Sequence, residues 1–117
     1  MEFSKSRPLK SRQVELHQLF VAVDGTVTTP VAAGKDKAFV KSVTDNGPGD
    51  YTITFKAVAQ QNIVPVAILP TTPNVHYNVV AVTKDSIRIA FTSRAAGTAV
   101  DASFNLSCLW HELNTDY

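Results

Sequence analysis

Asp45-Asn46-Gly47-Pro48-Gly49-Asp50-Tyr51-Thr52-Ile53-Thr54-Phe55 is the stretch on which the fold turns. Its first five residues are turn formers, each suited to a backbone that reverses direction. Tyr51, Ile53 and Phe55 then alternate with Thr52, Thr54 and, one step on, Lys56. An extended chain sends successive side chains to opposite faces, so this is a strand with one apolar and one wet side. Residues 38–44 form its partner, and the Gly/Pro turn sets the register between the two.

The alternation returns downstream. Val75, Tyr77, Val79 and Ala81 make one series, Lys84-Asp85 turns the chain, and Ile87, Ile89 and Phe91 face inward against Ser86, Arg88 and Thr92. Ala95-Ala96-Gly97 supplies a loop, and a last strand places Phe104, Leu106, Cys108 and Trp110 on one side. Residues 63–69 are apolar throughout, which predicts a strand covered on both faces, with Pro65 confining it to an edge or a bulge. Pro70 and Pro73 bracket a rigid turn.

Upstream, Asp24-Gly25 predicts a two-residue hairpin, with residues 26–29 as the return strand, Pro30 as its stop and residues 31–37 as a loop. Residues 14–23 admit two readings: Leu16, Leu19 and Phe20 fit a helix face, whereas Leu19-Phe20-Val21-Ala22-Val23 fits a buried strand. A strand from about Leu16 is the one favoured. Residues 1–13 are polar, contain Pro8 and show no period, so they read as an extended arm. The expected architecture is all-β: a single antiparallel β-sandwich or barrel-like domain over residues 14–117, with an extended N-terminal arm.

Composition narrows the function. The 117 residues are 44% hydrophobic and 18% charged, a folded rather than disordered chain. A formal charge of +1 gives no overall pull toward nucleic acid or acidic lipid. The bias is local: Lys5, Arg7, Lys10 and Arg12 crowd the start against Glu2 alone. Such an arm adheres to nucleic acid or to an acidic protein surface, or simply solubilises the chain. No signal peptide and no membrane-spanning stretch is visible, which predicts synthesis in a cytoplasm and a soluble product. A lone Cys108 cannot close an internal disulfide, so stability has to come from packing or association.

Val40-Lys41-Ser42-Val43-Thr44 together with the opening stretch resembles the first hairpin of a small β domain that recurs in bacteriophage structural proteins, tail-fibre and head-fibre chains among them. The likeness continues through Tyr77, Ser86-Ile87-Arg88-Ile89-Ala90-Phe91-Thr92 and Asp101-Ala102-Ser103-Phe104-Asn105, and covers residues 38–111. It implies a non-enzymatic, commonly trimeric virion protein. Fibre chains carry a long stalk ahead of such a domain, whereas residues 1–37 hold neither heptads nor a collagen-like repeat. The expectation is therefore a capsid decoration, cement or other particle-surface protein, made in the host cytoplasm and resident in the virion. The alternative is a tail-fibre-type module that binds a host saccharide or protein.

Site expectations follow from that reading. Ile63, Val64, Val66, Ile68 and Leu69, with Val79 and Val80, are the candidate interface through strand edges around a threefold axis. Lys5, Arg7, Lys10 and Arg12 are the candidate arm that docks on other virion proteins. Asn46, Asp50, Arg94 and Thr98 mark candidate receptor loops. Catalytic and metal residues are not expected, and no cofactor: His17, His76 and His111 are far apart, Cys108 sits in an apolar strand, no Gly-x-Ser-x-Gly elbow exists, and Gly47-Pro48-Gly49 lacks the lysine and helix of a phosphate loop. Asp24, Asp45, Asp50, Asp85 and Asp101 lie at turns, where a hydrolase would need two of them across a cleft. Tyr51, Phe55, Phe91, Phe104 and Trp110 are assigned to the core, and Phe39 and Tyr77 are the aromatics to test for exposure.

Overall fold

The computed structural model describes the backbone of residues 13–59 and 62–114 and the side chains of residues 17–59 and 62–110. Eight strands follow in order: β1 (Gln13–Asp24), β2 (Ala32–Ala33), β3 (Val40–Gly47), β4 (Asp50–Phe55), β5 (Val64–Pro70), β6 (Val75–Val82), β7 (Ser86–Ser93) and β8 (Ser103–Asn114). A 3₁₀ turn at Lys37–Phe39 leads into β3, so the strand begins at Val40 rather than Ala38. All pairings are antiparallel. They build one sheet in the order β2-β1-β8-β5 and a second in the order β3-β4-β7-β6. The fold is an all-β sandwich, and the docking-arm residues Lys5, Arg7, Lys10 and Arg12 lie outside the described residues.

Alternation explains the core. Tyr51, Ile53 and Phe55 of β4, Ile87, Ile89 and Phe91 of β7, and Phe104, Leu106, Cys108 and Trp110 of β8 are all buried. On β1 the inward set is Leu19, Val21 and Val23, which settles residues 14–23 as strand. Tyr51, Phe91 and Phe104 form an aromatic cluster with ring centroids 4.9–6.1 Å apart, and Phe55 meets Trp110 edge-on at 5.7 Å. Such pairs contribute about 0.5–1.5 kcal/mol each beyond the area they bury. One polar group is buried among them with partners: the Tyr51 hydroxyl donates to the Gly25 carbonyl at 2.9 Å or to Asp101 Oδ1 at 3.1 Å, and accepts from Ala102 N. Asp101 Oδ1 also accepts from Gly49 N at 2.8 Å, so one carboxylate ties the β7–β8 loop to the β3–β4 turn.

Four sequence expectations are corrected. Residues 26–29 are not a return strand, because Gly25 is buried under Tyr51 and donates to Ala102 O, leaving no room for a tight hairpin there. Asp24 instead holds Thr26 N and Ser103 Oγ, and the chain returns only at β2, opposite Ala22 and Val23. Residues 31–37 therefore include a short strand. Residues 63–69 are not covered on both faces: β5 starts at Val64 and exposes Val64, Val66 and Leu69. The Pro65 reading holds, since β5 is a sheet edge and its register shifts between Pro65 and Ala67. On β6 a register shift between Val79 and Ala81 breaks the alternation, so Val82 rather than Ala81 meets Ile87. Phe39 and Tyr77 are both exposed.

Candidate functional site

The two sheets have unlike outsides. On the outer face of the first, β8 presents Asn105, Ser107 and Leu109, because Phe104, Leu106, Cys108 and Trp110 point inward. Register sets Phe20 and Ala22 of β1 on one side of that row and Val64 and Leu69 of β5 on the other. Phe20, Val64, Val66 and Leu69 are each 45–61% exposed. Between the two apolar walls runs a shallow groove of about 440 Å³, floored by Asn105 and Ser107, with Val66 and Lys35 among its lining residues. The Lys35 ammonium stands 5.8 Å from the centre of the Phe20 ring. Gln18 Nε2 donates to Ser107 Oγ at 3.0 Å, so that part of the polar floor is satisfied from within.

This face carries three of the residues expected at an interface from sequence, Val64, Val66 and Leu69, and the structure places the others elsewhere. Ile63 and Ile68 are 1% and 5% exposed and belong to the core; the first has its N–H tied to Thr83 O. They have no surface to offer a partner. Val79 also packs against the core from the second sheet. Val80 is exposed at the β6 register shift, in the other sheet. Val64, Val66 and Leu69 remain, joined by Phe20, whose outward position the buried-strand reading of residues 19–23 hid. Pro65 lacks an N–H and sits beside a bulge, so β5 is a poor edge for a further strand. What it offers is its side-chain face.

The receptor-loop candidates Asn46, Asp50, Arg94 and Thr98 fall at one end of the sandwich, the first two at the adjoining ends of β3 and β4 and the last two in the β7–β8 connection. Asn46 and Asp50 are already engaged: Asn46 Nδ2 donates to Thr52 Oγ1 at 2.8 Å, and Asp50 takes two hydrogen bonds from the Arg88 guanidinium at 2.7 and 2.9 Å. That ion pair holds the Asp50 carboxyl below the ordinary carboxylate range and raises Arg88 in turn. Arg94 and Thr98 are exposed.

Candidate reactive groups do not converge. His17 and His76 are exposed, and the side chain of His111 lies outside the described residues. Among the described residues no three of His, Cys, Asp and Glu gather as a metal site. Burial raises the Cys108 thiol to about 11, which keeps it protonated and unreactive. Burial likewise raises the Tyr51 phenol to about 12. Asp24 is held below its ordinary range by hydrogen bonds from Thr26 and Ser103.

A second concavity, of about 610 Å³, opens at the opposite end, between Phe39, Phe55 and Trp110, with Lys35, Asp36 and Lys56 in its lining. Sequence reading missed it because its walls come from four separate segments. The available signal was turn parity: in an antiparallel sandwich every second connection returns to the same end, and those at this end carry Lys35, Lys37, Lys56 and Lys84.

What fold and surface define is an antiparallel two-sheet sandwich with one apolar outer face. Comparison with family models, with curated proteins and with solved structures finds no match for this chain.

Proposed function

We propose that this chain is a non-catalytic structural subunit of a bacteriophage particle, a decoration or other surface protein that associates with copies of itself. The observation that carries the reading is the outer face of the β2-β1-β8-β5 sheet, where Phe20, Val66 and Leu69 stand half-exposed around one groove and Val64 is exposed on the same edge strand. Monomers rarely expose a contiguous apolar patch of more than a few hundred Å², and larger ones mark association sites. The sequence resemblance over residues 38–111 supplies the virion setting and the expectation of a trimer. Within it the arm bearing Lys5, Arg7, Lys10 and Arg12 serves as the attachment to other virion proteins.

A second reading, a host-receptor module, is favoured by one observation: the β3–β4 turn and the β7–β8 loop sit side by side, with Arg94 and Thr98 exposed. Purified particles separate the two. The structural reading predicts the chain at fixed copy number on the particle surface and no loss of host adsorption when Arg94 and Thr98 are replaced. Adsorption lost in Arg94→Ala/Thr98→Ala particles of normal composition supports the receptor reading.

A further inference from the structure

We propose that copies of this chain also join end to end, the aspartate-bearing loop end of one seating in the lysine-rimmed cleft at the far end of the next. The described charged side chains are sorted along the strand axis. At the end formed by the β1–β2, β3–β4 and β7–β8 connections lie Asp24, Asp45, Asp50 and Asp101, against Arg88 and Arg94. At the other lie Lys35, Lys37, Lys41, Lys56 and Lys84, against Asp36 and Asp85. Internal pairing sharpens the contrast: Asp50 is bound to Arg88 at 2.7 Å and Asp36 lies 3.6 Å from Lys35. This leaves Asp24, Asp45 and Asp101 facing Arg94 at one pole, and Lys37, Lys41, Lys56 and Lys84 facing Asp85 at the other.

The poles are independent. β4 alone sets them about 17–20 Å apart at ~3.4 Å per residue, more than twice the Debye length of roughly 8 Å at physiological salt. Each pole is therefore felt by a neighbour as a separate patch in which one sign predominates. Shape agrees with charge. The basic end is concave, a cleft of about 610 Å³ walled by Phe39, Phe55 and Trp110. The acidic end carries the β1–β2 loop, with Asp24 at its base and exposed Val27 within it. Beyond the basic end the β1–β8 ribbon continues and pairs Glu15 with Glu112 in register. A second copy is the occupant because the complementary charges belong to the same molecule. The chain's own basic arm has the wrong sign for this cleft. A contact of unlike patches closes into a ring or runs on as a filament, and it leaves the apolar sheet face free.

Sedimentation velocity of the full chain tests this at about 0.01 M and about 1 M salt, where the Debye length is ~30 Å and ~3 Å. The wild type is expected to show larger species at low salt that dissolve at high salt. Lys37→Glu/Lys56→Glu/Lys84→Glu, checked for an unchanged circular dichroism spectrum, is expected to weaken the salt-sensitive association by more than about tenfold, since like charges then meet. Mixed with wild type, it is expected to shorten the oligomers, because its acidic end still docks while its other end accepts nothing. Asp24→Asn/Asp45→Asn keeps the turn-capping oxygens and gives a smaller loss. A wild-type distribution unaffected by salt, or a triple-lysine variant that associates like wild type, overturns the proposal. Apolar association through the sheet face does not weaken with added salt, so the two contacts fail separately.

Discussion

The outer face of the β2-β1-β8-β5 sheet and that of the β3-β4-β7-β6 sheet start from the same backbone and end as opposites. The second is dressed with Ser42, Thr44, Thr52, Thr54, Arg88 and Asn78, and its groups bond one another across strands: Asn46 to Thr52, Asp50 to Arg88. The first carries Phe20, Val64, Val66 and Leu69 over a floor of Asn105 and Ser107. A small domain has little apolar surface to spare, since at this size only about two-thirds of the unfolded chain's area is buried. Leaving Phe20, Val64, Val66 and Leu69 half-exposed on one face forgoes burial that the isolated fold could use. Under the proposed association, the difference between the faces separates the side that stays in water from the side that meets another copy.

The largest expected effects show that the apolar face is not core. Leu106→Ala and Ile53→Ala, each removing a side chain at most 1% exposed, are expected to cost about 2–5 kcal/mol. Leu69→Ala and Thr52→Ala, one on each outer face, are expected to change the stability of the monomer by less than about 0.5 kcal/mol. Urea unfolding of the four variants makes the comparison, and a cost for Leu69→Ala in the core range breaks it.

Next in size is the bond network that joins the sheets at the loop end. Tyr51→Phe removes the hydroxyl from Gly25 O, Asp101 and Ala102 N, and is expected to cost about 1–3 kcal/mol because buried groups lose their partner. The network also has a pH signature. The folded phenol titrates at about 12 against 10.0 ordinarily, so its contribution is whole below pH 10 and falls as pH rises toward 12. The wild-type urea midpoint is expected to drop across that window more steeply than that of Tyr51→Phe; parallel profiles contradict the assignment.

The smallest effect belongs to the polar face. The Asp50–Arg88 pair is partly exposed, so Arg88→Ala is expected to cost about 0–1 kcal/mol. Because Asp50 is depressed in the folded state, what the pair contributes is present above the unfolded value of about 3.9 and is lost as pH falls through the folded one. Acid titration of wild type against Arg88→Ala measures it, and an equal acid loss in both shows that the pair is inert.

Much of this architecture is legible in the sequence where period and turn chemistry agree. Residues 45–55 and 86–92 alternate cleanly because each strand has one wet face, and Pro65 correctly announces an edge with a bulge. Legibility fails where tertiary contacts override local rules. Asp24-Gly25 carries a hairpin signature, yet Gly25 is a glycine because Tyr51 lies on it. The run from Ile63 to Leu69 looks doubly buried since its exposed side chains, Val64, Val66 and Leu69, are as apolar as those facing the core. Composition cannot tell these apart; only the register, which sends Ile68 inward and Leu69 outward, separates them. The lysine end was invisible for another reason, its charges being dispersed over connections at residues 34–39, 56–63 and 83–85.

The most direct test of the account is sedimentation equilibrium of the full chain beside Val66→Lys/Leu69→Lys and Thr52→Lys/Thr54→Lys, at high salt to silence contacts between charged ends. The account predicts an oligomer for the wild type and for the Thr52/Thr54 variant, and a monomer with the wild type's circular dichroism spectrum for the Val66/Leu69 variant. A wild type that stays monomeric across the concentration range, or an oligomer indifferent to Val66 and Leu69, contradicts it.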